Sequence, residues 1–139
     1  MNQEQLKQQL TAWRHHLHAN PESAFEEVKT AQFIAEKLQS MGIEVHRDIG
    51  KTGLVGVLKC GEGQGVIAIR ADIDAIQLTE KGEMSYRSDT PERMHGCGHD
   101  GHTCIALGRR SCCYSGRIST APSALSSSQP RSRVTVRRR

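Results

Sequence analysis

The chain has 139 residues, 36% hydrophobic and 4% aromatic, which is enough for one small domain with a modest core. No apolar run reaches the roughly 20 residues that cross a bilayer, and the start, Met1-Asn2-Gln3-Glu4-Gln5, lacks the basic and apolar stretches of a secretory signal, so a cytoplasmic protein without membrane contact is expected. The formal charge of +4 hides a divide: residues 1–108 carry 11 Lys and Arg against 15 Asp and Glu, whereas residues 109–139 carry eight Arg, eight Ser and no acid. That switch sets a boundary near Gly108. The five cysteines, Cys60, Cys97, Cys104, Cys112 and Cys113, have no disulfide-framework spacing, and Cys60 and Cys104 read as small core residues.

In chain order, Leu6, Leu10, Trp13 and Leu17 recur at helical spacing and predict a first helix, which Asn20-Pro21 interrupts. Ser23-Ala24-Phe25-Glu26 has the form of a capping box and predicts the start of a second helix. Its buried face would be Phe25, Val28, Ile34, Ala35, Leu38 and Met41, and Gly42 would stop it. Ile43 to His46 alternates as a half-buried strand does. Leu54–Leu58 and Val66–Ile69 flank the glycine-rich run 61–65, which predicts a hairpin between them. That run lacks the Lys-Ser/Thr ending of a phosphate loop and leads into a strand, so a phosphate cradle is excluded. Arg70-Ala71-Asp72-Ile73-Asp74-Ala75 closes the last of these strands, and Thr103 to Gly108 resumes an apolar pattern that predicts another helix. Helices leading into strands, with polar clusters at strand and loop ends, define an α/β architecture.

The chemistry concentrates in His95-Gly96-Cys97-Gly98-His99-Asp100-Gly101-His102, which holds three of the seven histidines. Imidazole, thiolate and carboxylate are the ligands of zinc and its first-row neighbours, and the glycines let the backbone turn tightly. Cys97 and His99 are spaced to serve one centre or two neighbouring metals, while His95 and His102 are open between ligand, ligand support and substrate contact. Asp72 and Asp74 would share one face of a regular strand, where two carboxylates repel unless a cation or proton lies between them. His15, His16 and His18 read as helix-surface residues without a role. A metal centre of this kind generates a nucleophile from water near neutral pH, which points to hydrolysis of an amide or ester and calls for a general base.

Met94 to Thr103, preceded by Arg70 to Ala75 and by Trp13 to Glu22 with Phe25-Glu26-Glu27, resembles the metallo-amidohydrolases of the aminoacylase, hippurate hydrolase and zinc carboxypeptidase superfamily, in the branch of hippurate hydrolase and N-acetyldiaminopimelate deacetylase. The resemblance covers residues 1–108 and implies the N-terminal part of a zinc-peptidase-like catalytic domain, truncated: two helices, then strands, then a metal-ligand loop leading into a helix. It implies hydrolysis of N-acyl amino acids by metal-activated water, with two divalent ions, Zn or Mn, in the intact family. Cys97 and His99 match metal ligands, Asp74 matches the aspartate that supports the catalytic centre, and Asp72 has no settled role. The substrate would be a small-molecule N-acyl amino acid, and intact members are often homo-oligomers.

The family pattern continues to a Gln-Pro-Ala-Glu-Glu motif, which supplies the general base and a further ligand, and then to two later histidines. None occurs in this sequence, so the chain as given is expected to be inactive. Residues 109–139 read as an Arg/Ser-rich tail, disordered or frameshift-derived. The alternative is a small non-catalytic metal-binding protein, or one whose Arg tail contacts nucleic acid through phosphates. Tyr114 is the tail's only aromatic residue, so specific nucleic-acid binding is not expected.

Overall fold

The structure, a computed structural model, describes residues 2–59, 66–114 and 123–128. Helix α1 spans Gln3–Ala19 and opens on a capping box in which Gln5 N donates to the Asn2 side chain at 2.8 Å while the Gln5 side chain accepts from Asn2 N at 3.0 Å. Helix α2 spans Val28–Ser40 and starts later than the Ser23 capping box predicts. Phe25 has φ 67, outside any right-handed helix, and the carboxylate of Glu22 takes the first free N–H groups, from Lys29 at 3.2 Å and Thr30 at 2.7 Å. Phe25 and Val28 therefore lie outside the buried face expected for them, at 46% and 63% exposure. Ala31, Ile34, Ala35 and Leu38 form that face, and Gly42, at φ 73, ends the helix in the left-handed turn that glycine accepts without strain.

Strands β1 (Glu44–Ile49), β2 (Gly53–Leu58), β3 (Ile67–Asp72) and β4 (Ser123–Ser128) form one sheet in the order β1-β2-β4-β3, with helix α3 (His99–Tyr114) between β3 and β4 in sequence. β1 and β2 make an antiparallel hairpin, β2 pairs antiparallel with β4, and β3 pairs parallel with β4. The hairpin expected between β2 and β3 is not formed, because β2 has β1 on one side and β4 on the other. β2 is correspondingly buried almost along its whole length, whereas β3, at the sheet edge, leaves Ile67 46% exposed. The glycine-rich run 61–65 and Cys60 lie outside the described residues.

Between helices and sheet sits one core: Ala31, Ile34, Ala35 and Leu38 from α2, Ile43, Leu54 and Leu58 from β1's approach and β2, Ile73 beyond β3, and Leu107 from α3. Burial of each large aliphatic member contributes about 1.5–3 kcal/mol. Ile73 is completely buried and lies directly before Asp74, so core packing and site placement meet at one point in the chain. Helix α3 begins at His99, earlier than the apolar pattern from Thr103 suggests, and it continues past Gly108 to Tyr114. His99, Asp100 and His102 thus stand on its first turn. Among the described residues, no helix is long and apolar enough to cross a membrane.

Candidate metal centre

After β3 the chain makes an excursion over residues 77–93 whose ends are tied together. Ile76 N donates to Met94 O at 3.0 Å, and Met94 N donates to Ile76 O at 3.1 Å. This pair brings Asp74-Ala75 beside the His95–His102 stretch. A second tie, Ala75 N to Glu22 O at 2.8 Å, fixes the same segment to the turn before α2. The site is thus assembled where the C-terminal end of β3 meets the N-terminus of α3, the usual place for ligands in α/β folds.

The central contact joins Asp74 and His99. The Nδ1 of His99 lies 3.0 Å from Asp74 Oδ1 and 2.9 Å from the Asp74 carbonyl oxygen, both acceptors, which makes Nδ1 the donor and leaves Nε2 as the ring's lone-pair nitrogen. A carboxylate holding the far nitrogen of a histidine is the arrangement that orients imidazole toward a metal. Cys97 is an exposed thiol one residue before Gly98, whose φ of 85 turns the chain into α3. His102 is exposed, with its ring centroid 5.6 Å from that of His99.

Asp72 and Asp74 alternate with the buried Ala71, Ile73 and Ala75, as the period of two expects. β3 ends at Asp72, which pairs with Arg70, and the Asp72 carbonyl accepts from Thr103 Oγ1 at 3.3 Å. The two acids have different partners, Arg70 for Asp72 and His99 for Asp74.

Several buried polar atoms around this point have no protein partner: Ser23 Oγ, Glu27 Oε1 and both ring nitrogens of His95. Ser23 bridges to Ala75, and the Asp74 charge acts on both Glu27 and His95. Burial lowers the His95 pKa to about 4, so that ring is neutral at physiological pH. Burial also raises the Glu27 carboxyl above the ordinary range, against the opposing hydrogen bond from Thr52 Oγ1. Orphaned polar atoms at this density are rare in a protein interior and mark a place that receives something polar. The donor types at Cys97 and His99 fit a divalent ion. The number of donors does not complete a shell, since among the described residues no group of three or more His, Cys, Asp or Glu is placed to hold one.

Sequence reasoning missed three residues. Glu27 is fully buried, and Phe25-Glu26-Glu27 gave only a motif, with no sign of which acid turns inward. His18, read as a surface residue, is 5% exposed with both ring nitrogens engaged, by Asp100 at 2.8 Å and Glu80 at 2.9 Å. Glu80 was not singled out. Cys104, by contrast, is the core thiol expected: it is 5% exposed, with burial pushing its pKa up to about 12. Alkylation of the native protein at pH 8, read by peptide mass mapping, is expected to label Cys97 and spare Cys104, and equal labelling of the two would contradict the placement of α3.

Helices packed on a mixed sheet, with the Asp74–His99 pair beyond the end of β3, define the chain as part of an α/β domain. Residues 68–113 match peptidase family M20/M25/M40, and this segment belongs to that family. The chain is 51% identical over 94 residues to the hippurate hydrolase of Campylobacter jejuni, a match covering 68% of this chain and 24% of that protein. It is 46% identical over 106 residues to an N-acyl-L-amino acid amidohydrolase of Geobacillus stearothermophilus, covering 76% of this chain and 28% of that one. Among solved structures, the Bacillus subtilis YXEP protein, described as a dinuclear metal binding peptidase of the M20 family, superposes with a TM-score of 0.85 at 31% identity over 92% of this chain and 36% of that one. The chain therefore spans about a quarter of the length of the curated relatives it matches.

Proposed function

We propose that residues 1–108 are the part of an N-acyl amino acid amidohydrolase that carries the first metal ligands, with Cys97 and His99 as those ligands and Asp74 as the residue that holds His99 in place. The observation that carries this reading is the Asp74–His99 hydrogen bond, which fixes the imidazole with Nε2 as the available donor nitrogen. A divalent ion held there supplies Lewis acidity toward an amide carbonyl and lowers the pKa of water toward neutrality. The thiolate of Cys97 favours zinc over manganese on grounds of softness. His95, buried and neutral, and Glu27, buried with one oxygen unpaired, line the polar side of this place and are available to bind or orient a polar group.

The reaction also needs a general base, and the 139-residue sequence has neither acid nor histidine after residue 102. We infer that the polypeptide alone binds a divalent ion weakly and does not turn over N-acyl amino acids. Titration with Co(II) tests both parts. A thiolate-to-cobalt charge-transfer band that disappears in Cys97→Ser, together with no release of benzoate from hippurate, is the expected result. Absence of the band in the wild-type chain would refute the ligand assignment, and hydrolysis abolished by Cys97→Ser would refute the inference of inactivity.

A further inference from the structure

Among the described residues, a second buried cluster of bonded charges lies outside the Asp74–His99 pair. His18, on the last turn of α1, places Nδ1 2.8 Å from Asp100 Oδ2 and Nε2 2.9 Å from Glu80 Oε1. Carboxylate oxygens accept, and both acids already accept through their second oxygens: Glu80 Oε2 from Ser88 N, and Asp100 Oδ1 from Gly101 N at 2.9 Å. Arg14 Nε adds a further donor to Asp100 Oδ2 at 3.2 Å. Both acids are thus built as anions, and the ring between them must donate from both nitrogens.

The side chains of His18, Glu80 and Asp100 are 7%, 5% and 0% exposed, so solvent screens these bonds little. The three come from three separate parts of the chain. His18 is on α1, Glu80 is in the excursion 77–93, and Asp100 directly follows His99 on α3. Tyr86 and Asp89 fasten the same excursion to α1, through the Tyr86 ring stacked 3.7 Å from His15 and through Asp89 N donating to Ala19 O at 3.0 Å.

We propose that His18 is the positioning residue of the metal-ligand stretch: a ring donating from both nitrogens that clasps the excursion, through Glu80, and the start of α3, through Asp100, to α1. The clasp fixes the helix turn that carries His99 and the loop that carries Cys97, without touching either side chain. It rests on the reading of Cys97 and His99 as ligands for its consequence, but not for its geometry. The titratable groups facing His18 are Glu80 and Tyr86 from the excursion, Asp100 from α3, and His95, whose ring centroid is 6.3 Å away, while Arg14 bonds to Asp100 and the Arg87 charge acts on Glu80. Burial opposes the charged ring, but the hydrogen bonds and charges of Glu80 and Asp100 outweigh it and raise the His18 pKa. A raised histidine pKa stabilises the fold fully below the unfolded value of about 6.5. That stabilisation is lost as pH rises through the higher native value.

The test is nitrogen-15 NMR of the full 139-residue chain labelled at histidine, with His18 assigned by its absence in His18→Gln. At pH 7 both His18 ring nitrogens are expected at protonated shifts, and the titration midpoint is expected to move down in Glu80→Gln. A neutral His18 tautomer at pH 7, or a midpoint indifferent to Glu80→Gln, overturns the proposal. Co(II) titration of Glu80→Gln then reads the positioning itself, with an affinity loss of about tenfold expected and the Cys97 charge-transfer band retained. Unchanged Co(II) affinity in this variant overturns the positioning role. If the wild-type chain shows the imidazolium pattern but no cobalt band, the ligand assignment fails and the clasp stands as geometry. If cobalt binds but His18 is neutral, the clasp fails and the ligand assignment stands.

Discussion

Asp74→Ala is expected to weaken Co(II) or Zn(II) binding by about 10–100-fold and to leave the helical content of the chain unchanged. The side chain is mostly buried, and its carboxylate is bonded to His99 Nδ1, so its removal frees the imidazole to rotate and to exchange tautomers. The carbonyl oxygen of residue 74 stays at 2.9 Å and retains part of the orientation, so Asp74→Asn is expected to lose less than alanine does. Competition against a chromophoric chelator at pH 7 measures both variants. Wild-type affinity in Asp74→Ala would remove Asp74 from the centre.

The second large effect is expected at Ile73. This side chain is 0% exposed and packs in the cluster with Leu38, Leu54, Leu58 and Leu107. Ile73→Ala is expected to cost about 2–5 kcal/mol in urea unfolding, from lost transfer energy plus the cavity left behind, and Ile73→Val about 0.5–1.5 kcal/mol. Because Ile73 directly precedes Asp74 in the chain, the alanine variant is also expected to bind metal less tightly even where it remains folded. A loss below about 1 kcal/mol would mean that the segment between β3 and the site is not packed as described.

The comparison of sequence with structure turns on how far apart the partners lie. Asp74 and His99 stand in two short motifs that a local reading singles out, and the structure joins them by a hydrogen bond. The inner part of the α2 face was legible for a similar reason, since periodicity is a local property: Ile34, Ala35 and Leu38 sit inward as their spacing predicts. The clasp was not legible. His18 meets Glu80 across 62 positions and Asp100 across 82, and nothing near His18 in sequence distinguishes it from the adjacent helix histidines. The hairpin expected between β2 and β3 failed likewise. Ser123–Ser128, read in the sequence as part of a polar tail, has no apolar alternation to announce a strand, yet its backbone occupies the position between them. At α2 the Ser23 capping box was a true local signal defeated by a stronger one, the Glu22 carboxylate already bonded to the Lys29 and Thr30 amides.

The strand order also governs how this chain can reach its native state. β4, one of the two inner strands of the sheet, comes last in sequence among the described strands, and it pairs Leu54 with Ser127 and Asp72 with Ser128. During synthesis β2 and β3 therefore emerge with their facing edges open, and no local hairpin can close the gap between them. Closure waits for β4 to slide in between, a step of long sequence separation that is slow compared with formation of either helix. Until then those two open edges are the surfaces on which a nascent chain would capture a neighbour, while α1, α2 and the β1–β2 hairpin can form from local contacts alone.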